Sequence, residues 1–478
     1  VQKDEGQNTL YRNVWILDGD NQGLMVYIGD IQRKIPFRKS YKKTEELIGN
    51  LADLTMEHGK IAKVSVKKER ISGKVLSVQD TAIELEGYGS VPLDEEYKVL
   101  KTYGDIKRQQ LSDILVGSDS QEFVVAKGKI CAVIKEREDA ADQIRVLILG
   151  DGFQSRYHER IEITCPGSVR KVQGDSETML DPGSVVSVTS GDGTCSAQRL
   201  ILEPQDGSEL TVTSLNRAQG QPSYAGRLEI LDTDDGLVLV NAPELEDYLK
   251  KVIPSEMPSS YEKEALKAQA VCARSFALGT HKHGSEYDLC NTTNCQVYLG
   301  ANRATEASDA AVNATKGETL SYNGSSVIGY FYSSDGGATE DAANVWGGDY
   351  AYLKGKADPY EDPSKDRWTV TLTADEIQQK VNAAGYSIGK VANVQVTKRT
   401  ATDNVNEVTV TDTSGKSVTI SKSSVRTVFG LKSIRYTITP VGGSGNKTSL
   451  QVKASTHNVK VNGKNVSPQG YYIVNGTQ

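Results

Sequence analysis

The sequence predicts a multidomain α+β protein: a β-rich N-terminal module over residues 1–141, then a mixed α+β domain with a β subdomain over 142–478. Three observations carry that reading. At 478 residues the chain is too long for one compact core, since single cores stop growing at about 250–300 residues. Short runs of apolar and polar alternation between turn signals fill its first half. Extended helical periodicity is concentrated after residue 240.

In chain order, Ile61–Val66, Gly73–Val78 and Thr81–Leu85 alternate as short strands do. Thr44–Glu57 reads as the one helix among them. Small β-barrels or an irregular sandwich follow, a scaffold without catalytic spacing, and the polar run Glu136–Gln143 reads as a linker. Ile144–Leu149 has the length and apolar content of a strand, and further strands as far as Val240 make 142–240 a β subdomain. Its Cys165 and Cys195 are either a disulfide or two buried thiols. Asn241–Val252 reads as a helix begun by Pro243 and stopped before Pro254. Residues 241–370 form the core of the second domain. Within 371–478, its C-terminal α+β part, Thr373 and Glu376 form a capping box, Gly385 is a stop, and a short helix near Ser423–Phe429 ends at Gly430. Edge strands are expected beyond Pro440.

Composition excludes some functions. The net charge of −7, with Lys and Arg scattered, provides no basic footprint for nucleic acid. No stretch reaches the ~20 apolar residues of a membrane span. The first ten residues, VQKDEGQNTL, have neither the basic nor the apolar region of a signal peptide, so an exported form would carry a signal or anchor absent from this sequence. Six cysteines are too few for a disulfide framework in a chain this long.

The most informative stretch is Val252–Leu278, VIPSEMPSSYEKEALKAQAVCARSFAL. Pro254 and Pro258 restrict the backbone around Glu256. Ser259 and Glu262 match the S-x-x-E capping box, and Glu264–Leu278 reads as a helix with Leu266, Ala270, Ala273 and Ala277 on its apolar face. Two readings stay open: a capped surface helix whose preceding glutamate favours the dipole, or an acid held ready in a stiff turn between two helices. Farther on, Val327–Tyr332 reads as a strand feeding SSDGGATE, whose glycines allow close backbone approach to a ligand and whose hydroxyls can bond one. Trp346, Tyr350 and Tyr352 either line a sugar groove or close the core. Cys272 reads as small core filler.

The Val252–Leu278 stretch resembles the signature of the stage II sporulation protein D family, which includes amidase enhancers. Three further blocks fit in the same order: Asp288–Gly300 (DLCNTTNCQVYLG), Ala311–Glu340 (AVNATKGETLSYNGSSVIGYFYSSDGGATE) and Val425–Ser433 (VRTVFGLKS). The resemblance covers about the last two thirds of the chain and implies that 142–478 is a catalytic-type domain. It implies a peptidoglycan lytic transglycosylase that cleaves the MurNAc–GlcNAc bond and leaves a 1,6-anhydroMurNAc end, with Glu256 as general acid/base. Its implied glycan contacts are Lys267, Gln269, Arg274, Gln296, Tyr298, Tyr332, Ser333, Ser334, Gly336, Gly337 and Thr339, with Glu256 on the floor of a cleft lined by Tyr332, Ser333 and Ser334. Asp335, Glu340 and Asp341 are the other acids in or beside these blocks, and any of them facing Glu256 would restore two-carboxylate hydrolysis.

No cofactor is required by this reading, but some family members hold zinc at a His and two Cys in the second block. His283, Cys290 and Cys295 match best here, with a Cys290–Cys295 disulfide as the alternative. The implied partners are peptidoglycan glycan strands and an amidase. The implied location is outside the cytoplasm, in a bacterial cell wall or on the outer face of the membrane. The family's C-terminal G-H-G-V-G-M-S-Q block has no counterpart, since none of the five histidines stands in a G-H-G setting: either the sequence is cut at Gln478 or this member dispenses with the block. That departure favours a second reading, a non-catalytic, wall-binding enhancer of an N-acetylmuramoyl-L-alanine amidase.

Overall fold

The computed structural model describes residues 9–137, 143–174, 176–195, 198–280, 286–361, 367–443, 447–454, 460–461 and 464–465, with backbone alone from 440 onward. The expected linker at Glu136–Gln143 therefore lies largely outside the described residues. Strand far outweighs helix, so the α+β expectation holds with β structure dominant. The chain divides into two compact units, one of Val1–Ser255 with Thr280–Ala304 and the other of Glu256–Gly279 with Thr305–Gln478.

Unit 1 begins with a five-stranded sheet whose central strand, Thr9–Asp20, pairs with Gly23–Ile28 on one side and Leu51–Glu57 on the other. The helix expected at Thr44–Glu57 is instead a single 3₁₀ turn, Thr44–Glu46, followed by the strand Leu51–Glu57. Leu, Ala, Met and Glu favour helix locally. Tertiary context overrides that preference: Ala52, Leu54 and Met56 are buried on alternate positions, and neighbouring strands take up the backbone of both edges. The other three strands expected in this region form as Lys60–Lys67, Val75–Gln79 and Ala82–Leu85.

A further sheet of the unit runs through Leu200–Pro204, Arg227–Thr233 and Gly236–Ala242 to Val146–Leu147 and Leu289–Cys290. Gly236–Ala242 is buried along its whole length. Asn241 and Ala242, expected to open a helix, belong to this strand, where the Asn241 amide donates to the Ala225 and Arg227 carbonyls. Under the sheet lies a buried ion cluster. Glu229, with no exposed surface, meets Arg145 at 2.5 Å, Arg227 at 2.9 Å and Arg199 at 3.3 Å, while Arg199 also grips Glu84 at 2.7 Å. Burial alone would raise the Glu229 carboxyl; the charges of Arg145, Arg227 and Arg199 outweigh it and hold the group down at about 2. Cys165 and Cys195 are separate buried thiols.

The first helix, α1, spans Leu245–Glu256 and runs through Pro254 instead of stopping before it. Proline costs this helix one N–H bond near its last turn, where few backbone bonds remain to lose. The Ser255 hydroxyl meanwhile bonds the Lys251 carbonyl at 2.6 Å.

In unit 2, α2 spans Lys263–Gly279, with Leu266, Ala270, Ala273 and Ala277 buried as their spacing predicts. Its capping box does not form as expected. Tyr261 N–H bonds the Pro258 carbonyl at 3.1 Å, which places Ser259 inside a turn, and Glu262 is the residue whose carbonyl starts the helix. Arg274 on α2 is fully buried, its guanidinium bonding the carbonyls of Val312 in α3 (Glu306–Ala314) and of Glu318.

Val327–Tyr332 is not a strand. Its packing explains why: Gly329 lies against Cys272 of α2, and Tyr330 meets Trp346 in a tilted contact at 4.8 Å and edges onto Phe276, so the segment is held by side chains without a strand partner among the described residues. Cys272 is core filler, its thiol pushed up to about 12 by burial.

After the short helix α4 (Ala342–Val345) comes a second core. Here α5 (Ala374–Ala383) and α6 (Ser424–Thr427) pack Ile377, Val381 and Val425 against Val394, Val408, Val410 and Ile420 of a three-stranded sheet. The Thr373–Glu376 capping box forms in both directions, at 3.2 and 2.7 Å.

Candidate functional site

Unit 2 holds a cleft of about 340 Å³ lined by Tyr332, Ser333, Ser334 and Asp335 on one side and by residues of the 423–435 segment, Arg426, Lys432 and Arg435 among them, on the other. Its first wall is the Ser/Gly turn. Thr339 N–H bonds the Lys356 carbonyl and Asp358 N–H the Gly337 carbonyl, at 2.8 and 2.9 Å, which pins the turn to residues 356–358. Gly336 is in the left-handed region at φ +68, and a Cβ there would sit 2.8 Å from Arg435 Cδ. Only glycine fits both the backbone and the close approach. Arg435, nearly buried, passes beneath the turn and donates to the Asp335 and Ala338 carbonyls at 3.4 and 3.2 Å.

The acids of the cleft divide into two environments. Glu340 accepts bonds from Asn344, Thr400, Thr402, Asn404 and the Asp341 N–H, at 2.5–2.9 Å. Burial opposes its charge, but these donors hold its carboxyl below the ordinary range, so it is an anion whose bonding is already satisfied. Asp335 lies beside Glu361, which accepts the Ser334 hydroxyl and, at 2.8 Å, the Asp335 N–H. Burial, and then a hydrogen bond shared with Glu361, pushes the Asp335 carboxyl up to about 8. Asp335 is therefore the protonated partner at neutral pH and donates to an ionised Glu361. This also accounts for its buried Oδ2, which no N–H or hydroxyl reaches. The carboxylates of Asp335, Asp358 and Glu361 gather within 4.8 Å of one another, with the oxygen chemistry of a hard cation site. The proton already relieves their repulsion.

The residues expected to contact a ligand do not all meet here. Tyr332, Ser333 and Ser334 line the cleft; Gly336, Gly337 and Thr339 build the turn behind it. Glu256, half-buried at the end of α1 and in the same unit, is not among the lining residues. The acid ends a helix and does not form the floor of this particular cleft. Lys267 pairs with Glu264 at 3.0 Å. Gln269 is buried, its amide nitrogen without a partner among the described residues. Arg274 is spent on carbonyls inside the unit. Gln296 and Tyr298 are fully buried in unit 1, Gln296 accepting from Tyr248 and Tyr298 donating to Asn241. Of the aromatic trio, Trp346 packs on Tyr330, while Tyr350, Tyr352 and Tyr322 form a strip with ring centroids 5.8–5.9 Å apart and Tyr322 and Tyr350 exposed.

Glu361 and Arg435 were not singled out from the sequence. Glu361 is 26 residues from Asp335 with no motif linking them. Arg426 and Lys432 were inside a recognised block, and their side-chain type was the signal available.

In unit 1, Cys290 and Cys295 place their sulfurs 3.4 Å apart. A disulfide bond is about 2.05 Å long, and two thiolates ~2.3 Å from one tetrahedral zinc sit about 3.8 Å apart. A small adjustment reaches either state, and the third expected ligand, His283, lies outside the described residues.

Residues 233–322 match the family model described as Stage II sporulation protein. The chain is 42% identical over 132 residues to the amidase enhancer of Bacillus subtilis and 32% identical over 187 residues to stage II sporulation protein D of the same organism. The chain thus carries a stage II sporulation protein-type domain over residues 233–322. It is also 35% identical over 192 residues to an uncharacterized protein of Brachyspira hyodysenteriae. These matches cover 28%, 35% and 40% of this chain and 18%, 54% and 49% of the enhancer, the sporulation protein and the Brachyspira protein. The chain thus spans about half the length of two of these relatives and less of the third. The family match contains Glu256, Cys290 and Cys295 and ends before the Ser/Gly turn. No helix among the described residues is long and apolar enough to cross a membrane.

Proposed function

We propose that this protein acts outside the cytoplasm on the bacterial cell wall, as a peptidoglycan lytic transglycosylase with Glu256 as its acid/base. The observation that carries this reading is the family match across residues 233–322, which brackets Glu256 in its S-E-M-P sequence. The hydroxyls and carboxyls of the cleft and the exposed tyrosine strip, all in the unit that holds Glu256, supply the hydrogen bonds and stacking faces a glycan needs. Glu256 protonates the oxygen leaving the muramic acid C1 as that C–O bond breaks. It then takes the proton from the C6 hydroxyl, whose oxygen bonds to C1 and closes the 1,6-anhydro ring. No water is consumed. Asp335 and Glu361 do not provide the hydrolytic alternative, since two carboxyls sharing a hydrogen bond are too close to flank a sugar, which takes a separation of ~5 Å or more.

The second reading, a wall-binding amidase enhancer that cleaves nothing, is favoured by the relative of that name, 42% identical over 132 residues. Incubation with purified glycan strands separates the two. Release of soluble glycan fragments supports the enzyme. No release, with an N-acetylmuramoyl-L-alanine amidase stimulated on the same walls, establishes the enhancer.

We also propose a structural zinc at His283, Cys290 and Cys295, which would stiffen its loop and take no part in the reaction. Metal analysis of anaerobically purified protein is expected to find about one zinc per chain, lost in Cys295→Ser. Metal-free protein with a Cys290–Cys295 bridge by mass mapping would decide for the disulfide.

A further inference from the structure

We propose that the cleft selects carboxylate-bearing glycan, with Arg426 and Lys432 pairing with an acidic group on the muramoyl unit. The inference rests on the reading of this protein as a peptidoglycan-acting one and names the chemistry its cleft takes.

The argument begins with the charges that line the cleft. Glu340 is an anion whose oxygens are taken up by five donors, so they are closed to a ligand. The Asp335 carboxyl is raised by burial beside Glu361, and the two other carboxyls of that cluster are bonded from their own segments, Glu361 by Ser334 and the N–H groups of Asp335 and Gly337, and the buried Asp358 by the Tyr360 N–H at 2.9 Å. Arg435 is buried and turned towards carbonyls. Arg426, half-buried, and Lys432, exposed, have no acidic partner among the described residues. The other acid near this wall, Asp403, faces Arg399 at 3.7 Å. A cleft in a chain of net charge −7 therefore presents positive charge, next to hydroxyls of Ser333, Ser423 and Ser433 and the ring of Tyr332.

That combination is selective. A neutral amino-sugar polymer can use the hydroxyls and the ring but leaves both cations with water. A muramoyl unit carries a carboxylate on its 3-lactyl ether when the stem peptide is absent, and carboxylates along the stem when it is present. Arginine can grip either with two parallel hydrogen bonds, with lysine as a second point charge.

The test measures equilibrium binding by the full chain, with Glu256→Gln in the background so that no ligand is cut, to three probes of matched length: stem-free peptidoglycan strands, stem-bearing strands and chitin oligosaccharides. The expected result is binding of at least one carboxylate-bearing probe about tenfold or more tighter than of chitin oligosaccharide, at the strength of one or two charge-assisted bonds. The preference should shrink with added salt and vanish in Arg426→Ala/Lys432→Ala, while affinity for chitin oligosaccharide stays unchanged. Arg426→Lys, which keeps the charge, should retain part of it and shows that the loss is not misfolding. Preference for stem-free strands assigns the lactyl carboxylate, and preference for stem-bearing strands the peptide. Equal affinity for charged and neutral glycan, an unchanged preference in the double variant, or tighter binding of poly(glycerol phosphate) would overturn the inference while leaving glycan cleavage intact. Binding of no glycan at all would remove the proposed function with it.

Discussion

Glu256→Gln is expected to lower the rate of glycan cleavage by about 10²- to 10⁴-fold, the usual contribution of a positioned general acid/base. The amide keeps the size and hydrogen-bonding outline of the carboxyl but can neither deliver a proton to the leaving oxygen nor take one from the C6 hydroxyl. Because Glu256 closes α1 and is half-buried, the isosteric substitution leaves no cavity, so the variant should fold. Binding of strands should persist, since the cleft residues are untouched. Undiminished cleavage would remove Glu256 as the acid and turn attention to Asp335, whose carboxyl is pushed up to about 8 by burial and by Glu361.

Glu229→Gln is expected to cost about 3–5 kcal/mol of stability, because it leaves buried guanidiniums without their shared counter-charge. Arg145, Arg199 and Arg227 all reach this carboxylate, and arginine does not shed its proton to escape. The same pairing sets an acid limit. Glu229 titrates near 2 in the folded protein against an ordinary 4.5, so the stabilisation is complete above about 4.5 and is lost as the pH falls from there through 2. In the glutamine variant that acid-dependent loss should be missing. Denaturant titration across pH 2–7 checks both statements, and a loss below about 1 kcal/mol at neutral pH would show that the cluster contributes no more than a surface pair.

Features carried by local chemistry were legible in the sequence. The Thr373–Glu376 box, the apolar stripe of α2 and the alternating strands around residues 61–85 depend on neighbours a few positions away. Leu51–Glu57 failed because its helix-forming residues are overruled by two strands hydrogen-bonding on either side. Val327–Tyr332 failed for the opposite reason, strand-like residues with no strand to pair with. The site was half legible. The Ser/Gly turn was identified by its glycines and hydroxyls, and Asp335 as a neighbouring acid. Its proton, however, depends on Glu361, and the positive character of the cleft depends on Arg426 and Lys432, about 90 residues downstream, with Glu340 silenced by threonines 60–62 residues away. Gln296, Tyr298 and Arg274 show the converse: each matches a family block, and each has its polar atoms turned inward to hold its own unit together.

The central claim is the chemistry at the muramic acid C1, and the mass of the reducing-end product tests it most directly. Glycan fragments released by the wild-type protein are expected to end in 1,6-anhydroMurNAc, each about 18 Da lighter than the fragment hydrolysis would leave, because the sugar's own hydroxyl takes the place of water. Fragments of full hydrolytic mass, with a reducible end and a solvent ¹⁸O label incorporated at C1, would contradict the transglycosylase mechanism.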